Sequence, residues 1–148
     1  MPYSLKTDLL TEISEDELIG LTDDESAGIV NDERVTAAIA KADALIDSYC
    51  GRIETVPFIV IPEIIKQHSI TIAIYVLYGR RSSVPEVRAQ NYKDAIKHLG
   101  DISTGKASLP IPGEDTPNDD IQATHTDEDK KFTMGKKSDG SSGSLDNY

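Results

Sequence analysis

Tryptophan is absent from this 148-residue chain, and phenylalanine occurs only twice. A core must therefore be aliphatic, with the six tyrosines at its edges. A single cysteine excludes an internal disulfide and a cysteine-built zinc site. Long apolar runs are also missing. The longest, residues 70–78 ("ITIAIYVLY"), is too short to span a bilayer. No charged-then-apolar leader opens the chain, so no secretory signal is expected. There is no phosphate loop and no G-x-S-x-G nucleophile elbow. Basic residues are in deficit, 15 against 26 acids, for a formal net charge of −11. Bulk electrostatics therefore argue against DNA or an anionic membrane as a partner.

The deficit is uneven. Residues 1–56 hold 13 acids and 4 bases, residues 57–105 hold 4 and 6, and residues 106–148 hold 9 and 5. An acidic front and a mildly basic middle suit head-to-tail self-association, in which complementary patches on one subunit steer contact with the next. The ordinary alternative is solvated surface charge.

The stretch "LTDDESAGIVNDERV", residues 21–35, has the outline of a calcium loop. With Gly28 at position 6 of an EF-hand pattern, Asp23 and Glu25 fall at positions 1 and 3. Position 5 is then Ala27, which has no side-chain oxygen, and position 12 is Arg34, a cation where a bidentate carboxylate belongs. The expectation is an acidic turn with no metal, in which Gly28 supplies an unusual backbone angle. Asn31 then caps the next helix, with Asp32 and Glu33 at the positive end of its dipole.

The rest of the chain to residue 105 reads as helices. Thr7 is positioned to cap a short one carrying Leu9, Leu10 and Ile13. Ser14 and Glu17 form a capping box ahead of Leu18, Ile19 and Leu21. From Asp32 to about Tyr49, Val35, Ala38, Ile39, Ala42, Leu45, Ile46 and Tyr49 recur at steps of three and four, with Gly51 as C-cap. Asp43 and Asp47 lie off that stripe, on what reads as a solvated face. Residues 62–79 fit both strand alternation and helical spacing. Their length and Pro62 at the start favour a central, buried helix. Pro85 opens the last helix, whose apolar side is Val87, Tyr92, Ala95, Ile96, Leu99 and Ile102, and Gly105 ends it. The predicted fold is all-α: a small bundle of two short N-terminal helices and three longer ones in a domain of residues 1–105. Residues 106–148, rich in Pro, Gly, Ser and Asp, form an extended arm.

Candidate chemistry is sparse. Cys50 has no nearby base and reads as a buried thiol. His68 sits on an apolar face as a core or interface histidine. His98 and His125 have no partner at a metal-ligand spacing. No catalytic constellation, cofactor or metal site emerges, so no enzyme is expected. The arm's apolar residues Phe132, Met134, Leu145 and Tyr148 are spaced as anchors for a partner surface, and "KKFTMG" is the segment best suited to pair with one.

Several patches taken in order carry a resemblance. They are "DLLTEISEDELIGLTDDE", "AKADALIDSYCGRIETVPF", "ITIAIYVLYGRR" and "VRAQNYKDAIKHLGDISTGKASL". Over about residues 3–109 the chain resembles the Mu-like head–tail adaptor family, small helical neck proteins of tailed bacteriophages and prophages. The end of the chain resembles a stretched version of a short family tail, with "GKKSDGSSG" as an insertion. The resemblance implies a virion neck protein, assembled in the host bacterial cytoplasm. Copies would form a homo-oligomeric ring, commonly twelve-fold, under the portal and against tail or neck proteins. DNA would pass through the channel without sequence-specific binding, and no membrane is involved. A stopper or tail-completion role in the same neck, or an acidic interaction module with a degenerate calcium-type loop, are the alternatives.

Overall fold

A computed structural model describes residues 1–110 of the chain. The described residues contain five helices and no strand, as the sequence predicts: α1 (Lys6–Leu9), α2 (Glu15–Thr22), α3 (Asp32–Cys50), α4 (Glu63–Arg80) and α5 (Glu86–Ser103). The two longest-packed helices, α3 and α4, form the centre. α5 lies against both, α2 and α1 cover α4, and α1 also touches α3.

α3 begins where Asn31 turns out of the acidic loop and accepts the Arg34 N–H at 3.1 Å. Its stripe of Val35, Ala38, Ile39, Ala42, Ile46 and Cys50 is buried. Its end differs from expectation in detail. Gly51 has φ −61°, not the left-handed angle of a glycine cap. Glycine is needed there for its size, because a Cβ would stand 2.9 Å from the Asp47 carbonyl oxygen and 3.1 Å from Val56 Cγ2. α4 follows Pro62 and is covered nearly all round, with Ile65, Ser69, Ile70, Ile72, Ala73, Ile74 and Leu77 buried. Helix, not strand, is thus the state of residues 63–80.

Other sequence expectations also fail locally. Thr7 lies inside α1 and does not cap it. Leu5 is the N-cap residue, and the Asp8 carboxylate reaches back to its N–H at 2.8 Å. α1 itself stops at Leu9, and Ile13 is buried from the turn that follows. In α5, Val87 is 69% exposed and contributes nothing to the core. The buried stripe of Ala95, Leu99 and Ile102 runs back seven residues to Arg88, two turns away on the same face, while Val87 sits about 100° off it. Arg88 is half-buried and donates to the Glu12 carbonyl oxygen at 2.9 Å. α5 ends at Ser103, and Gly105 just beyond its cap has φ +74°, which requires a residue at ease in the left-handed region. The chain then folds Ala107 and Leu109 back onto the core.

Candidate functional site

The acidic loop between α2 and α3 is occupied by its own contacts. Asp23 accepts the N–H groups of Gly28 at 2.7 Å and of Ala27 and Glu25 at 3.1 Å. Those amides, Gly28 and Ala27 first, hold its carboxyl below the ordinary range. Gly28 has φ +72°, the angle expected of it, and Ser26 is also left-handed at +57°. The neighbouring carboxylate, Asp24, meets three guanidinium groups: Arg34 and Arg80 at 2.7 Å and Arg81 at 3.0 Å. The same arginines donate to the backbone of the α2 terminus. Arg80 reaches the Leu21 carbonyl at 3.0 Å, Arg81 the Asp23 carbonyl at 2.7 Å, and Arg34 the Thr22 carbonyl. The loop is therefore a clamp joining α2, α3 and α4. Arg34, the wrong charge for a calcium loop, is an internal partner of the loop's acid.

A second polar cluster fixes the amino-terminal segment on α3. Asp43 accepts the Tyr3 N–H at 3.0 Å and the Ser69 hydroxyl at 2.8 Å. Asp47 accepts the Tyr3 hydroxyl, which in turn accepts the Phe58 N–H at 3.2 Å. Burial, then the hydrogen bond to the Asp47 carboxylate, raises the Tyr3 phenol well above its usual range. Asp43 and Asp47 are thus structural acceptors and not a freely solvated face. Beside them a groove of about 600 Å³ runs between the amino-terminal segment and α3. Its apolar wall includes Leu5, Val35, Ile39, Ala40 and Ala44.

The histidines come together unexpectedly. His68 Nε2 and His98 Nδ1, on α4 and α5, are 2.7 Å apart, with the rings edge-on. Burial, then the neighbouring His98, depresses the His68 pKa to about 4. Thirty residues separate the two, so no local spacing in the sequence signals the pair. It is a two-residue contact. Among the described residues no group of three or more His, Cys, Asp or Glu converges as a metal site. Cys50 is fully buried, and that burial, followed by the Asp47 and Glu54 charges, pushes its thiol up to about 11. A thiol so far from ionisation at neutral pH is a packing group.

The family model described as Bacteriophage Mu, Gp36 matches residues 3–126, a span that includes all five helices. The chain belongs to the Mu Gp36 family. Over 82 residues it is also 30% identical to the Mu-like prophage FluMu protein gp36 of Haemophilus influenzae. That match covers 55% of this chain and 57% of the relative, so the alignment spans little more than half of either protein. The resemblance drawn from the sequence patches holds at the level of a Mu-like phage family.

In this Gp36-family chain, the predicted anchors Phe132, Met134, Leu145 and Tyr148 lie outside the described residues, as does His125. They lie beyond the family match too, His125 excepted. Among the described residues, other apolar side chains are open to a partner. Ile59 is 96% exposed, Val60 and Ile53 are also exposed in the same α3–α4 connection, and Ile29 is exposed on the acidic loop. Their signal in the sequence was the run "PFIVIP", apolar yet bracketed by prolines that keep it out of a helix. No helix of the described residues is long and apolar enough to cross a membrane.

Proposed function

We propose that this Gp36-family protein is a structural head–tail connector of a Mu-like phage. Copies form a ring, twelve-fold as in the adaptors it resembles, beneath the portal and against the tail or neck proteins. Duplex DNA passes through that ring without sequence-specific contact. The protein acts by assembly and not by turnover, and its place is the neck of the virion. The observation that carries this is the family match across residues 3–126, which takes in the whole helical core. The exposed Ile53, Ile59 and Val60, all in one connection, support it as candidate subunit contacts, since exposed apolar surface commonly marks interaction sites.

The test is genetic and physical together. A phage lacking this protein should yield filled heads and finished tails that do not join. The purified full-length chain should assemble into a closed ring by native mass spectrometry and co-purify with the portal. Joined particles in its absence would refute the assignment. Capture of the tail side alone would shift it to a stopper or tail-completion role.

A further inference from the structure

We infer that the groove between the amino-terminal segment and α3 receives residues 130–137 of a neighbouring copy, with Phe132 and Met134 as its apolar anchors. The inference rests on the ring reading, because a ring gives every groove an adjacent subunit.

The groove is lined mainly by apolar side chains, with Asp32, Asp43 and Asp47 and one cation, Lys6, among them. At about 600 Å³ it lies within the range of pockets that hold drug-sized groups, roughly 300–1,000 Å³, which accommodates two large side chains. Leu5 on its wall is 57% exposed, so apolar surface there is still open to solvent. Lys6 at one end is already paired with Asp32 at 2.7 Å. Asp43 and Asp47 are different. Their carboxylates are hydrogen-bonded to a backbone N–H and to hydroxyls, but no cation pairs with either among the described residues. Two negative charges therefore stand beside an apolar surface.

One segment of the chain matches this in sequence. Residues 130–137, "KKFTMGKK", contain four lysines and no acid, in a protein of net charge −11. They hold four of the five bases found after residue 105. Phe132 and Met134 are two positions apart. In an extended peptide such side chains point the same way, about 6–7 Å apart, so both enter one groove while the flanking lysines reach its carboxylates. The twenty residues from 110 to 130 span at most about 66–72 Å, enough to cross an adjacent small subunit. The contact is heterologous, arm to groove, which is the type that propagates around a ring.

Photo-crosslinking of the full-length chain tests this. p-Benzoylphenylalanine replaces Phe132, and isotopically light and heavy copies are mixed before assembly. After irradiation, mass spectrometry should find light–heavy peptides joining position 132 to residues 36–44. Ala40→Lys, an exposed change on the groove wall, should reduce that crosslink at least tenfold while the circular dichroism stays native. Native mass is recorded on the same sample. An intact oligomer with crosslinks elsewhere, with none, or to a co-purified protein overturns the groove inference and leaves the ring. An intact oligomer with crosslinks only within a copy overturns the inter-subunit exchange. A monomer overturns the ring reading and this inference with it.

Discussion

At the scale of single residues, one carboxylate has an unusual share of the connections. Asp24 meets Arg34 from α3, Arg80 from the end of α4 and Arg81 just beyond it. All four side chains are about one-quarter to two-fifths exposed, so solvent screens the pairs. Asp24→Asn should therefore cost only about 1 kcal/mol in urea unfolding at low salt, and the gap from wild type should narrow in 1 M salt. A salt-independent loss would mean that packing, not charge, sets the effect. His68 gives a pH-dependent counterpart. Its folded pKa of about 4 lies below the ordinary value near 6.5, so between those values the unfolded chain binds the proton more readily. The stability that comes from keeping His68 neutral is complete above pH 6.5 and falls as the pH drops through 4. The loss is on the order of 2–3 kcal/mol. Burial is the first cause, and the contact adds to it, since a protonated His68 would set its charge against the His98 ring 2.7 Å away. His68→Gln keeps a hydrogen-bonding side chain without titrating. Its unfolding free energy should fall less than that of wild type between pH 7 and pH 4, and equal slopes would exclude His68 as the source.

At the scale of elements, α4 is the one that the others need. Ile72 is 1% exposed at its middle. An aspartate there would be a buried charge with no partner, which costs several kcal/mol. Ile72→Asp should leave the chain unfolded by circular dichroism at neutral pH, and a cooperative melt at the wild-type temperature would contradict the burial of that face. Much of this element structure was legible in the sequence. The apolar period of α3, the Asn31 and Ser14 caps, and the prolines before α4 and α5 are local signals, and each matches the fold. What was misread has a common cause: the partner lay far away in sequence. Asp43 and Asp47 are off the α3 stripe because they face the amino-terminal segment, and Asp43 also accepts the Ser69 hydroxyl from α4. His68 finds His98 only once α4 and α5 are packed. Thr7 is the local exception: Asp8, three residues on, bonds back to the Leu5 N–H, and Leu5 takes the N-cap. The candidate site was less legible still, since a groove is a gap between segments and has no residue pattern of its own.

At the scale of the whole molecule, the uneven charge along the chain takes on a different meaning. Four of the six bases in residues 57–105 pair with acids of residues 1–56 in the same subunit. Lys66 meets Asp8, Arg80 and Arg81 meet Asp24, and Arg88 meets Glu12. Most bases of the middle are thus paired within one subunit, which leaves few of them to steer head-to-tail contact between copies. Lys93 and Lys97 are the only bases of that stretch without an ion pair among the described residues, and residues 130–137 are a further concentration of bases on which the proposed self-association can draw. Two truncations separate fold from assembly. Ending the chain after Pro110 keeps Leu109, which is buried against the core. That protein should melt within a few degrees of full length and retain its helical signal, yet stay monomeric by light scattering. Ending it after Lys106 also removes Ala107 and Leu109, and the loss of one large buried side chain costs about 2–5 kcal/mol. The shorter protein should melt lower by roughly 10 °C or more, on the basis of about 4–8 °C per kcal/mol for a domain of this size. If the Pro110 truncation assembles with full-length affinity, residues 111–148 are dispensable for the ring. If the two truncations melt together, Leu109 does not belong to the core. The pair therefore assigns stability to residues 1–110 and assembly to the remainder through two independent readouts.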